Sequence, residues 1–339
     1  MGLRDREPWF IGKILDALGM KYTRIISCLA AFSLAVALLP AVGQTTSSAA
    51  AYVAASDDPQ GSVLTIRKRV DEVNVLFIAT DRHGKFVRNL NQDDFNFLDD
   101  HKPVQSIVNF RRETDLPIKM GLLIDVSGSV RSRFQFEQDA ATGFLQHIIR
   151  TGFDQAFIMG FNSHQQLAQD YTDDILRLSS GVHALRDGGG TALYDAIYHA
   201  CQDKLKQQSD HPVRKAIVLL TDGEDNQSEH TRWQAIEMAQ RAEVIIYAIS
   251  TDDSGLVLRG DKILEQLAAA TGGRAFFPFK MKDMTHSFAA IEDELRSQYV
   301  VSYRPADFSA DGRYRSIEII ALKKDLQVRA RQGYYAPRQ

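Results

Sequence analysis

An α/β fold built on a mainly parallel, doubly wound sheet with helices on both faces is the architecture this 339-residue sequence predicts, and three observations predict it. From Pro117 onward, apolar runs of strand length alternate with stretches of helical periodicity. Runs such as Ile217-Val218-Leu219-Leu220 are continuously apolar, as strands buried on both faces require. The residues that carry chemistry gather just after those runs, where ligands bind in sheets of this kind.

The elements follow in chain order. Residues 1–43 read as an export signal, with basic Lys21 and Arg24, an apolar run from Ile25 to Leu39, and the small residues Ala41-Val42-Gly43 before Gln44. Met20 is a second candidate start, which makes residues 1–19 an upstream extension. The apolar run is at the short end for a membrane span, so cleavage is expected and no stable span after it. A periplasmic, cell-surface or secreted location follows from the signal. Its removal takes Cys28 and leaves Cys201, so the mature chain has no internal disulfide. Cys201 falls on an apolar face with Ala196, Ile197, Ala200 and Leu205, a core position. Residues 1–43 hold five of the 40 Lys and Arg and three of the 43 Asp and Glu, so the net charge moves from −3 to −5. A mildly acidic, unclustered surface argues against nucleic acid as a partner.

Residues 44–61, rich in Ser, Ala, Thr and Asp, are expected to form a flexible linker. Residues 62–113 read as a small β-rich module, with candidate strands at Val63–Ile66, Val73–Ala79, Phe95–Leu98 and Val104–Phe110 and a turn at Asp81–Gly84. About fifty residues of this kind bury too little to stand alone. Within 114–305 the strands are Lys119–Ile124, Gln155–Phe161, Lys215–Leu220, Val244–Ser250 and Arg274–Phe277, with Gln166–Tyr171 pairing back as an edge. Helices are expected over Arg133–Arg150, Ala192–Gln207, Thr231–Ala242, Asp261–Thr271 (ended by Gly272-Gly273) and Asp283–Ser297. Tyr299–Tyr303, Arg313–Ile320 and Gln327–Tyr335 read as three strands, the last two within a C-terminal β extension over 306–339. They either extend the sheet or join the N-terminal module.

Three motifs sit at strand or helix boundaries. Asp125-Val126-Ser127-Gly128-Ser129 follows the first apolar strand, Gly188-Gly189-Gly190-Thr191 opens a helix, and Thr221-Asp222-Gly223 closes another strand. Singly, each has a plain structural reading: a capped helix start, a glycine loop, an acidic turn. Together they supply hydroxyls and a few carboxylates with no His or Cys cluster, a donor set for an oxygen-seeking ion such as Mg²⁺. In this respect the sequence resembles the von Willebrand factor A (VWA) family, over roughly Leu116 to Pro305. Its metal-ion-dependent adhesion site combines Asp-x-Ser-x-Ser with a distant Thr and a distant Asp, matched here by Asp125, Ser127, Ser129, Thr191 and Asp222. The resemblance implies a Rossmann-like fold, a bound Mg²⁺ (or Mn²⁺), and a protein partner that supplies an Asp or Glu to the ion. With its export signal, flanking β segments and tail Arg329–Tyr335, the whole layout is similar to exported VWA-related proteins common in Acidobacteria.

The expected role is therefore a non-enzymatic, metal-dependent binding module in adhesion or envelope-complex assembly. A metal-dependent hydrolase is the alternative from another class, with Glu224 or Asp225 as general base. A structural VWA domain with an empty site is a third. Ser127 lacks the Gly-x-Ser-x-Gly setting of a nucleophile, and the nine His show no ligand spacing. His147, His164, His183 and His199 are expected at the surface or satisfied. Phe276-Phe277 and Tyr334-Tyr335 are read as strand core.

Overall fold

The structure, a computed structural model, describes residues 72–338 apart from 131–132, 208, 210, 253, 255 and 279–280. The expected signal, linker and Val63–Ile66 strand lie outside the described residues. The chain begins with β1 (Val73–Thr80), β2 (Phe95–Asp99), β3 (Lys102–Pro103) and β4 (Ser106–Glu113). Next come β5 (Ile118–Asp125), α1 (Phe134–Ile148), β6 (Gln155–Phe161), β7 (Gln165–Thr172), α2 (Ile175–Ala184) and α3 (Leu193–His199). They are followed by β8 (Arg214–Thr221), α4 (Arg232–Arg241), β9 (Val244–Ser250), α5 (Arg259–Thr271), β10 (Ala275–Phe276) and α6 (Met281–Leu295). The last strands are β11 (Gln298–Arg304), β12 (Tyr314–Ala321), β13 (Gln327–Ala330) and β14 (Gly333–Tyr335).

The central sheet has the order β10-β9-β8-β5-β6-β7, parallel except for β7, which runs back along β6 as the sequence predicts. Alternate residues of its strands feed two cores. Ile118, Met120, Leu122 and Ile124 of β5 meet Phe144 and Leu145 of α1, Leu178 and Val182 of α2, and Phe288 and Ile291 of α6. Leu123 of β5 and Ile217 and Leu219 of β8 meet α3, α4 and α5 on the opposite face. This explains the unbroken apolar runs, since every side chain in them is buried on one face or the other. Cys201 lies fully buried in the second core, on a π-helical continuation of α3 over Ala200–Leu205, and burial pushes its thiol well up.

The sequence reading passed over α2. Asp174 caps it, accepting from the Leu176 and Arg177 N–H groups, but Ser179-Ser180-Gly181 in its middle is weakly helical. Gly181 is there for packing: a Cβ on it would lie 2.6 Å from the Gln169 Cβ of β7.

The flanking strands form two further four-stranded sheets, β13-β1-β11-β4 and β14-β12-β2-β3, which share one core of Val75, Phe77, Phe95, Phe97, Tyr299, Val301 and Tyr303. Of the two arrangements open to the C-terminal strands, they take the one that joins the N-terminal segment. β11 lies between β1 and β4, pairing antiparallel with both. The expected strand Gln327–Tyr335 is two strands, because the chain crosses between sheets at Arg331-Gln332: β13 pairs with β1 and β14 with β12.

Candidate metal centre

In the central sheet β5 connects onward to β6 on one side, while β8 lies on its other side, so the strand order reverses between β5 and β8. The parallel register sets Ile124 beside Leu220, which brings Asp125, at the end of β5, next to Thr221, at the end of β8. Sequence separation of nearly a hundred residues thus becomes direct contact: the Thr221 hydroxyl donates to Asp125 Oδ2 at 2.6 Å. The same hydroxyl accepts the Gly223 N–H at 3.1 Å. Asp125 Oδ1 accepts the Ser127 N–H at 2.8 Å, which folds the Val126–Ser129 turn back over the strand end.

From that anchor a line of oxygens runs outward. Ser127 Oγ lies 3.0 Å from Ser129 Oγ, and the Ser129 hydroxyl donates to Asp222 Oδ2, again at 3.0 Å. Asp125 and Ser127 are buried, Asp222 half-buried and Ser129 exposed, so the line opens to solvent. Gly223 holds φ +82°, and a Cβ on it would meet the Gly260 carbonyl at 2.5 Å. Only glycine allows the Asp222 turn to lie so close to the start of α5.

The glycine loop closes over the same spot. Gly188 N–H donates to the Val126 carbonyl at 2.7 Å and Gly128 N–H to the Gly189 carbonyl at 3.1 Å. Asn162 Nδ2 holds the Gly188 carbonyl at 2.7 Å, and Asn226 Oδ1 accepts the Thr191 N–H at 3.0 Å. Thr191 is buried there. Asp125, Ser127, Ser129 and Asp222 are therefore joined through side chains, while Thr191 is brought in through its loop. The sequence motif includes Thr221 but assigns it no role, and it assigns none to Asn162 or Asn226. Thr221 had a signal, as a hydroxyl directly before Asp222 at a strand end; the two Asn act from separate loops and had none.

Among the described residues no three His, Cys, Asp or Glu side chains gather as a metal-holding group. The cluster has two carboxylates and otherwise hydroxyls, an all-oxygen set that suits a hard cation. The two 3.0 Å oxygen separations fit as well, since oxygens about 2.1 Å from an octahedral ion lie about 2.9 Å apart. Burial pushes Asp125 up to about 6, the Thr221 and Ser127 donors oppose the rise, and the Asp222 charge adds to it. An acid so placed gains from a nearby cation. Asp225, one candidate base, is already engaged: its Oδ1 accepts the Leu193 and Tyr194 N–H groups and the Ser228 hydroxyl, capping α3 from outside. Glu224 is exposed, and its N–H holds Asp222 Oδ1 at 3.0 Å.

Fold and site together define a doubly wound α/β domain with an oxygen-lined cluster at its switch point. The sequence pattern of the von Willebrand factor type A domain matches residues 120–294, and the chain belongs to that family. It is 28% identical over 179 residues to human von Willebrand factor A domain-containing protein 3B, a match covering 51% of this chain and 13% of that protein. It is 29% identical over 178 residues to bovine calcium-activated chloride channel regulator 1, covering 50% of this chain and 18% of the relative. The chain thus spans under a fifth of the length of these curated relatives. Among solved structures, a von Willebrand factor type A protein from Catenulispora acidiphila is similar at 11% identity and a TM-score of 0.46, covering 78% of this chain and 72% of that one. Proximal thread matrix protein 1 from the mussel byssus, solved with a zinc-occupied MIDAS motif, is similar at 17% identity and a TM-score of 0.45, over 58% and 49% of the two chains.

Proposed function

We propose that this chain is a binding module that holds a divalent cation, Mg²⁺ or Mn²⁺, and engages a protein partner through an acidic side chain of that partner. The observation that carries this reading is the line of oxygens from Ser127 through Ser129 to Asp222, at hydrogen-bond spacing and open to solvent at one end, anchored on buried Asp125 through the Ser127 N–H. Asp125, Ser127, Ser129, Thr191 and Asp222 would hold the ion, Asp125 also fixing the turn that carries the two serines. When bound, the ion supplies a positive centre to which a partner carboxylate attaches. Six oxygens are preferred by Mg²⁺ and these residues offer fewer, which leaves room for an outside ligand.

Export is part of the proposal, on the strength of residues 1–43, and so is a role in adhesion or envelope-complex assembly. Among the described residues no helix is long and apolar enough to cross a membrane. The hydrolase alternative is not favoured, since Asp225 is committed to the α3 cap. Isothermal calorimetry of the purified chain with Mg²⁺ tests the reading. One binding event is expected in the wild type and none in Asp125→Ala; wild-type affinity in that variant would remove the assigned site.

A further inference from the structure

Glu137 is an acid near the cluster that the proposed role does not use. It stands on the first turn of α1, just beyond the turn that carries Ser129, and is completely buried. Neither of its carboxylate oxygens has a hydrogen-bond partner. Buried polar groups in native proteins are nearly always satisfied, and a carboxyl left bare in a core costs several kcal/mol, so an orphan of this kind needs a reason. Packing does not supply one: the rest of the buried face of α1 is Phe134, Ala141, Phe144, Leu145 and Ile148 with Gln138, and a Leu or Met would fit such surroundings better.

The electrostatics point to what is missing. Burial pushes Glu137 up to about 8; the Arg133 charge opposes the rise, and the charges of both Asp125 and Asp222 reinforce it. Asp125 likewise feels Asp222. Three acids from three separate segments thus repel one another at the carboxyl edge of the sheet. They do not converge as one ligand group. Glu137 stands on the helix that follows the Asp125–Ser129 turn, close enough to feel the charges of Asp125 and Asp222, and its two acceptor oxygens are unused. Mutual repulsion among buried acids is relieved by a cation, and unused acceptors by the water that a hydrated ion carries.

We infer that Glu137 is a positioning residue for the cation, an inner carboxylate that balances the ion's charge and orients its water from the protein side. This rests on the cation reading above. It assigns a role to α1, which that reading leaves with none, and adds to Asp125 and Asp222 a third acid that, like Asp125, is hidden from solvent.

The test uses the full chain, Mg²⁺ alone as the probe, and the variants Glu137→Gln and Glu137→Met. Outer-sphere partners of metal ligands typically contribute 10–100-fold to affinity, so both variants should bind Mg²⁺ at least about tenfold more weakly by calorimetry. In chelator both should melt at or above the wild-type temperature, because each removes a buried acid with no partner. Wild-type affinity in both variants overturns the inference and leaves the cation site standing. Melting well below wild type in chelator makes Glu137 a structural residue and also overturns it. If the wild type binds no Mg²⁺, the site reading and this inference fall together.

Discussion

Asp99 and Asp125 are both fully buried aspartates at the end of a strand, one in the paired flanking sheets and one in the central sheet. Asp99 is closed off by protein. Its Oδ1 accepts Arg315 Nε at 2.7 Å, and its Oδ2 accepts the hydroxyls of Tyr303 at 2.9 Å and Tyr334 at 3.0 Å. Arg315 in turn reaches Asp307, which also takes Lys102. Asp125 has only neutral donors, Thr221 and Ser127, and its nearest charged neighbours are acids. The contrast separates two uses of buried charge. A carboxylate given its cation by the chain locks two sheets together, whereas one left among acids suits the cation proposed for the site.

Breaking the completed site should have the largest effect. Arg315→Leu leaves Asp99 buried without its counter-charge and should cost about 3–5 kcal/mol in urea unfolding, equally in Mg²⁺ and in chelator. A cost that depends on Mg²⁺ would erase the distinction between the two aspartates. Asp125→Ala should do the reverse, staying folded in chelator but losing the stabilisation that Mg²⁺ gives the wild type. That stabilisation is about 2.7 kcal/mol at a hundred times the dissociation constant, read as a shift in melting temperature.

The pH dependence sharpens the comparison next. Glu137 and Asp125 are both raised by burial, to about 8 and about 6, and Glu294 is also raised by burial against the pull of Arg329. A carboxyl whose folded pKa lies above its unfolded value contributes its full stability below the unfolded value, near 4.5 for Glu137, and loses it as the pH climbs toward the folded one. In chelator the protein should therefore weaken between about pH 5 and pH 8, by on the order of 4 kcal/mol from Glu137. Saturating Mg²⁺ should flatten that slope, and Glu137→Gln should reduce it; a flat profile in chelator would mean the acids are compensated within the chain. The smallest effect is expected at an exposed carboxylate held by backbone N–H groups and a solvent-facing Arg177. Asp174→Ala removes the cap of α2 and should cost about 1 kcal/mol with or without Mg²⁺.

The central sheet and the five oxygen-bearing residues were legible because a short motif fixes each of them next to an apolar run. Asp125 through Ser129 sit in a five-residue turn, and strand alternation with helices places the Thr191 and Asp222 loops at the same edge. Long-range supports were not legible. Thr221 is committed to Asp125 only by the parallel register of β8 with β5, and Asn162 and Asn226 act across loops whose pairing no local pattern encodes. Glu137 was passed over for a different reason: it falls on the face marked by Phe144, Leu145 and Ile148, but an acid in the first turn of a helix reads as an ordinary N-terminal charge. Gly181 concealed α2 in the same way, by looking like a break where it is a packing contact.

The interleaving of β1 and β4 with β11 has a bearing on synthesis. Tyr303, on β11, bonds to Asp99 across 204 residues of chain, so the first strands have no partner for most of their sheet until the whole central domain has been made. At about 5–20 residues per second, that wait is roughly 10–40 s. During it the apolar residues Val75, Phe77, Phe95 and Phe97 are without their core. The central domain ends the wait by folding, because its folded form brings β4 and β11, which flank it in sequence, to adjacent positions and replaces a long loop closure with a short one. A nascent chain stalled before Gln298 should accordingly be the form that chaperones hold and proteases cut, and completion of β11 the moment it escapes both.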